Sequence, residues 1–398
     1  MPRNPVLFLA CAQLSCALLI APPPPASAAT AEVSELKTIS WQPELYAGWP
    51  TVTRRSNGDL WLTWSGGRES HVCPFGQVHA MVSRDQGQTW SWPRVLLDSP
   101  IDDRDSGVVE TAKGSLLVTT FTSLAYASHL EKARAFAEHT STGWTTKTMP
   151  DEQLARWNAA HDRLNGAARE AELGQWLIRS TDGGTTWSAR VPTIVNSPHG
   201  PIQLSDGRLL YAGKELWTEG HRIGVCESVD DGQTWRWLAE IPARTGDDAG
   251  KSYHELHAVE AADGTILAHV RNHNPVNAGE TLQTESRDGG RTWGEPHSIG
   301  VWGLPSHLLR LRDGRLLMTY GHRRPPFGNQ ARLSADHGKS WGHAMLLSAD
   351  GSGGDLGYPS TVELDDGSLL TVWYENRKAP ESESSRAVLR QARWKLVP

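Results

Sequence analysis

One eight-residue pattern, Ser-x-Asp-x-Gly-x-[Thr/Ser]-Trp, occurs five times, beginning at Ser83, Ser180, Ser228, Ser286 and Ser334. Four fixed positions and one near-fixed position repeated five times constitute an internal repeat, and a repeat constrains architecture before any other feature. The residues have the chemistry of a hairpin turn. The Asp carboxylate accepts backbone N–H bonds as in an Asx-turn. The Gly supplies a φ > 0 position, and the Thr and Trp restart a strand with an apolar anchor. Five such turns read as scaffold rather than as five catalytic or calcium-binding aspartates.

A second repeat interleaves with the first. Short turns ending in Gly58, Gly114, Gly207, Gly264, Gly314 and Gly367 each lead, one residue later, into Leu or Ile and an apolar run. Such turns between apolar runs signal hairpins. There are six Gly turns to five boxes. The distance from each Gly to the next box Ser is 25 residues (58 to 83), 66 (114 to 180), 21 (207 to 228), 22 (264 to 286) and 20 (314 to 334). Only the second is anomalous, so the second unit carries an insertion at about 125–175. Leu154, Trp157, Leu164 and Ala168 recur there at near-helical spacing, and Leu130, Ala133 and Ala137 suggest a shorter first helix. The sixth unit has no box. Its third strand is expected at Ser385–Leu396, with Leu36–Trp41 supplying the fourth and removing the exposed edge. The expectation is an all-β, six-bladed β-propeller spanning 29–398, with a helical insertion in blade two.

Residues 1–28 read as an export signal: Arg3, an apolar core over 6–21, and Ala26-Ser27-Ala28 as the cleavage site. The expected location is secreted or periplasmic. No stretch suits a transmembrane span. The net charge of −6 gives no basic footprint for nucleic acid. Beyond the signal only Cys73 and Cys226 remain; they fall in non-adjacent blades and are expected not to pair.

Boxes and Gly turns share one face of such a propeller, so loops carrying function belong to the opposite face. That rim collects Trp49, Arg68, Glu69 and His71 from blade one, and Asp102, Asp103, Arg104 and Asp105 from blade two. Blade three gives His199, Lys214 and Glu215; blade four gives His254, Glu255, His257, Arg271 and His273. His307, His322, Arg323 and Arg324 follow from blade five, and Asp355, Tyr358, Glu375 and Arg377 from blade six. No metal or other cofactor is expected. His254 and His257, three apart on a strand, are expected to point to opposite faces.

The boxes resemble the Asp boxes of the sialidase (neuraminidase) superfamily over nearly the whole mature chain. The resemblance implies an exo-acting glycosidase with a glycan or oligosaccharide substrate. Tyr358-Pro-Ser-Thr-Val-Glu-Leu364-Asp-Asp366-Gly367 is similar to the family's last-blade pattern, Tyr-Ser-x-Leu-x-x-Leu-x-Asp-Gly, and nominates Tyr358 as nucleophile. Glu255-Leu-His-Ala-Val-Glu260 is similar to Glu-x-x-Val-Val-Glu and nominates Glu255 as its partner. The family grips a substrate carboxylate with three Arg. Arg271 occupies one expected place, Arg323 or Arg324 lies near another, and Trp49 stands where the third is expected. Arg68 matches a further pocket Arg. The family's acid/base Asp is absent from 68–76, leaving Glu69, His71, Asp103 and Asp105 as substitutes. Asp103 and Asp105 join Tyr358 and Glu255 as catalytic candidates. The substrate-binding candidates are Arg68, His71, Arg271, Arg323, Arg324, Trp49 and His254. The departures from the pattern leave open a uronic acid or deoxy sugar as substrate, elimination in place of hydrolysis, a non-catalytic glycan-binding propeller, or an interaction scaffold docking through the insertion.

Overall fold

Each box is knotted by its own side chains. In the first, Ser83 Oγ donates to Asp85 Oδ1 at 2.7 Å and accepts from Gly87 N at 2.7 Å, while Asp85 Oδ1 accepts from Thr89 N at 2.9 Å. The other four repeat this arrangement. These bonds hold Asp85, Asp182 and Asp288 down to a pKa of about 2, so the carboxylates are fixed acceptors.

The box also locks one blade to the one before it. Box glycines have φ between 82° and 87° and pack so closely that a Cβ would collide with the preceding blade. At Gly184 it would fall 2.1 Å from Trp61, at Gly232 2.7 Å from Leu117, and at Gly338 1.9 Å from Leu267. Trp187 lies edge-on to Trp61, and Trp341 donates from Nε1 to Gln283 Oε1 of the preceding blade at 2.9 Å.

The computed structural model describes residues 29–40, 42, 44–139, 149–378 and 385–398. They form six four-stranded antiparallel sheets in a closed ring. The inner strands are Tyr46–Arg54, Asp102–Glu110, Ile202–Gln203, Tyr253–Glu260, Ser306–Arg310 and Leu356–Glu363. Residues from all six line an axial cavity of about 300 Å3. The last blade closes as expected: Thr30–Ser40 pairs antiparallel with Ser385–Val397, Leu36 facing Ala392. Ala29, Trp373 and Trp394 then pack with Leu317, Leu333 and Met345 of blade five, so apolar burial seals the interface that has no box.

The insertion sits between the second and third strands of blade two. It comprises α1 (Ala127–His139), α2 (Asp151–His161) and α3 (Gly166–Ala171). The apolar spacing from Leu154 to Ala168 suggested one helix. Two form, because α2 stops at Asp162 and Asn165 Oδ1 caps α3 by accepting from Ala168 N at 2.9 Å. Cys73 and Cys226 are free and buried. Among the described residues no helix is long and apolar enough to cross a membrane. The expected signal segment, 1–28, lies outside the described residues.

Candidate active site

Four inner strands carry a β-bulge near the rim away from the boxes. Register slips between Gly48 and Thr51, Arg104 and Gly107, His254 and Leu256, and Gly357 and Ser360. The residue in each slip adopts the left-handed region: Trp49 (φ 54°), Asp105 (φ 48°), Glu255 (φ 36°) and Tyr358 (φ 52°). That conformation costs a non-glycine residue about 1–3 kcal/mol and persists only where packing imposes it. All four side chains line one pocket of about 280 Å3, with His71, Arg104, Phe121, Arg271, Arg323 and Tyr374. The bulge re-aims each side chain from the sheet toward the axis.

Tyr358 is 4% exposed. Its hydroxyl donates to Glu255 Oε1 and accepts from Arg271 Nη1 at 2.9 Å; the same Arg271 nitrogen donates to Glu255 Oε2. Burial and the Glu255 charge raise the Tyr358 pKa well above that of a free phenol. Glu255 is pulled below the usual carboxylate range despite its own burial, chiefly by Arg271 and the Tyr358 hydrogen bond. At rest the pair is a neutral phenol beside a carboxylate. Arg271 Nε donates to His273 Nε2 at 2.9 Å, which fixes the guanidinium plane.

Asp105 is also buried. Desolvation first, then Glu255, raise its pKa to about 7 against the pull of Arg104, Arg68 and Arg271. Asp103, two residues earlier, has a pKa near 7 for the same first reason, but its carboxylate accepts from Ser99 N at 2.7 Å and does not line the pocket. The pocket thus separates Asp105, a candidate proton donor, from Asp103, a loop-holding group.

The arginines sort in the same way. Arg68 is fully buried, with Nη1 donating to Asp102 Oδ1 at 2.6 Å and its guanidinium 5.0 Å from the Trp49 ring, beneath the pocket wall. Arg324 stacks 3.5 Å over Trp302 and does not line the pocket. Arg323 does; its guanidinium lies 5.6 Å over the Tyr358 ring and its Nε donates to Leu356 O at 3.0 Å, while buried Nη2 has no hydrogen-bond partner among the described residues. Arg104, part of the sequence ring but not nominated, lies 4.4 Å over the Trp49 ring and donates from Nη1 to His71 O at 3.1 Å. Arg104, Arg271 and Arg323 therefore meet in one pocket. Trp49 at the expected Arg position serves as the platform on which Arg104 rests.

His71 stands edge-on to Trp49 at 5.0 Å and hydrogen-bonds Tyr46 Oη through Nδ1 at 2.8 Å. Asp355 accepts from the Tyr46 and Tyr374 hydroxyls at 3.0 and 2.9 Å. Glu69 is spent on the insertion, accepting from Arg156 Nε and Trp157 Nε1. His254 packs 4.9 Å from His273, outside the pocket lining, with burial and Lys214 lowering its pKa to about 4. The bulge at Glu255 also corrects the spacing argument for His254 and His257. They pair with Arg271 and His269, positions two apart on the next strand, so alternation does not separate them. Distance along the strand does, since His257 stacks on His307 at 4.5 Å beside the axial cavity. Among the described residues no group of three or more His, Cys, Asp or Glu is arranged to hold a metal ion.

Nothing in the sequence marks the bulged residues as such, save Pro50 and Pro359 directly after Trp49 and Tyr358. A proline inside a strand is a bulge signal.

Known structures share this architecture. A protein of unknown function from Dyadobacter fermentans is 22% identical with a TM-score of 0.71, over 92% of this chain and all of that one. The NanB sialidase from Streptococcus pneumoniae (K499G mutant) is 16% identical with a TM-score of 0.61, over 88% and 69% of the two chains. The intramolecular trans-sialidase from Ruminococcus gnavus is 14% identical with a TM-score of 0.60, over 88% and 94%. At these identities the likeness is one of fold. No curated protein matches the chain. A family model, the BNR repeat-like domain, matches residues 165–371, just over half of the chain, with four of its five boxes and four of its six inner strands. The chain belongs to the BNR repeat-like family, on a six-bladed propeller resembling the sialidase fold.

Proposed function

We propose that this protein is an exported exo-glycosidase that removes a terminal acidic sugar through a covalent tyrosyl intermediate. The observation that carries the reading is the hydrogen-bonded set Tyr358, Glu255 and Arg271, sharing a pocket of three arginines with Asp105, a buried carboxyl whose pKa is raised to about 7. A phenol is a poor nucleophile while it holds its proton, and a carboxylate in hydrogen-bond contact removes it. In the first step Tyr358 Oη attacks the anomeric carbon and its proton passes to Glu255. The bond from that carbon to the leaving oxygen breaks, and Asp105 gives the oxygen its proton. Water, deprotonated by Asp105, then attacks the anomeric carbon, the bond to Tyr358 Oη breaks, and Glu255 returns the proton to the phenol. Arg271 compensates the negative charge on Glu255 and lowers the cost of charge on Tyr358.

The three guanidinium groups favour a sugar carrying a carboxylate, since their planar forks suit that group. A pocket of about 280 Å3 lies just below the ~300–1,000 Å3 usual for ligand sites, which fits a single terminal ring. Trp49 stands where the resemblance expects an arginine and Arg104 reaches the pocket from the next blade, so the reading covers a uronic acid as well as sialic acid.

Incubation with aryl glycosides of sialic and uronic acids, read by mass spectrometry, tests the proposal. The expected product is the free acidic sugar, retained in anomeric configuration. Tyr358→Phe is expected to lower kcat by roughly 10,000- to 1,000,000-fold, the scale of removing one member of a nucleophilic catalytic set, while thermal unfolding stays near wild type. Full activity in Tyr358→Phe overturns the reading; an unsaturated product points to elimination instead.

A further inference from the structure

A second cleft opens beside the pocket, and the insertion makes one of its walls. Its cavity is about 480 Å3, lined by His71, His129, Lys132, Met149, Gln153 and Trp157, with Ser70 and Val72 completing the rim. His71 lines both the cleft and the catalytic pocket, so the two lie on either side of one side chain. The wall is built, not draped. Glu69 accepts from Arg156 Nε at 2.8 Å and from Trp157 Nε1 at 2.9 Å, fastening α2 to the blade-one loop that carries His71. Arg134 of α1 donates from Nη2 to Asp162 Oδ1 at 3.0 Å, just beyond α2, and Trp157 packs edge-on against Tyr126 at 6.2 Å.

Two features indicate the occupant. The catalytic pocket has room for one ring, so whatever that ring is attached to must continue outside it. The cleft beginning at His71 is larger than the pocket itself. Among the described residues no carboxylate lines it, although the whole chain carries a net charge of −6; its charged lining side chain is Lys132, exposed on α1 beside His129.

We propose that this cleft is the leaving-group subsite, holding the next residues of an acidic oligosaccharide, with Lys132 meeting an anionic group on them. The inference rests on the exo-glycosidase reading above, and goes beyond it by making the insertion a specificity element for the remainder of the glycan.

The test compares a single-sugar aryl glycoside with two tetrasaccharides bearing the same terminal sugar, one continuing in uronates and one in neutral residues. Lys132→Glu is expected to raise the KM for the uronate tetrasaccharide, relative to the aryl glycoside, about 3- to 10-fold, the range for losing and reversing an exposed ion pair. The ratio should move less for the neutral tetrasaccharide and shrink in 0.5 M salt, where the Debye length falls to roughly 4–5 Å. An unchanged ratio overturns the subsite. If the wild type cleaves none of the substrates, the exo-glycosidase reading fails separately. Calorimetric titration of the Tyr358→Phe protein with the uronate tetrasaccharide, with and without Lys132→Glu, then reads the cleft without turnover. Weaker binding in the double variant upholds it, and equal binding refutes it.

Discussion

Asp105 keeps its proton near neutral pH because its carboxyl is buried beside Glu255, and the arginines around it only partly offset that penalty. Its pKa of about 7 gives a definite sign. The acid form needed to protonate a leaving group exists below pH 7 and disappears above it, while Glu255, held low, remains a base throughout. kcat/KM is therefore expected to fall along an alkaline limb centred near pH 7. Asp105→Asn should abolish that limb and lower kcat/KM by about 100- to 10,000-fold, the usual worth of general acid catalysis, with a smaller loss for substrates with good leaving groups. An alkaline limb that persists in Asp105→Asn would show that another group supplies the proton. Residue identity was legible here and residue role was not. Asp103 and Asp105 are equivalent in sequence, and only the Ser99 contact of one and the bulge at the other separate them.

Two kinds of irregular element hold the molecule to its function. Bulges at the rim aim four side chains inward, and boxes at the other face pin blade to blade. The second can be tested without touching the site. Gly114 and Gly338 both have positive φ, 78° and 83°, but a Cβ at Gly114 meets nothing within 4 Å while one at Gly338 lands 1.9 Å from Leu267. Gly114→Ala should cost about 1–2 kcal/mol for the left-handed backbone alone. Gly338→Ala should cost about 1–3 kcal/mol more for forced overpacking between blades. Equal losses in chemical denaturation would mean that the box is only a turn. The boxes were legible because each is a local structure closed within eight residues. The bulges were not, since they are imposed by neighbouring inner strands and carry no mark beyond two prolines.

At the scale of the whole propeller, the ring of inner strands buries His199, His257 and His307 together beside the axial cavity. Burial lowers all three pKa values well below that of a free histidine. In the unfolded chain they take up protons below about pH 6.5, and in the folded protein they do not. The unfolded state then binds more protons, so stability is lost as pH falls through that point, by about 1.4 kcal/mol per pH unit for each histidine. Asp103 and Asp105, with pKa values raised to about 7, act in the opposite sense and gain stability as pH falls from 7 toward 4. His79, His254 and His269, lowered to about 4, join the axial three and outweigh them. Tm is expected to fall steadily from pH 7 to pH 5 in calorimetry; a flat or rising profile would mean that these histidines are charged in the fold. The sequence by itself determined the number of blades, their order, the place of the insertion and the closure of the last sheet. Each of these is written in repeats or short patterns whose physics is local. Tyr358 and Glu255 were nominated only by family resemblance. Only the tertiary structure decided which charges share a pocket. Arg104 rather than Arg68 faces the site, Trp49 supports it, and α1 and α2 wall the neighbouring cleft. Those outcomes depend on side chains brought together from different blades, and on bulges that turn a strand residue from one face to another, neither of which has a signature along the chain.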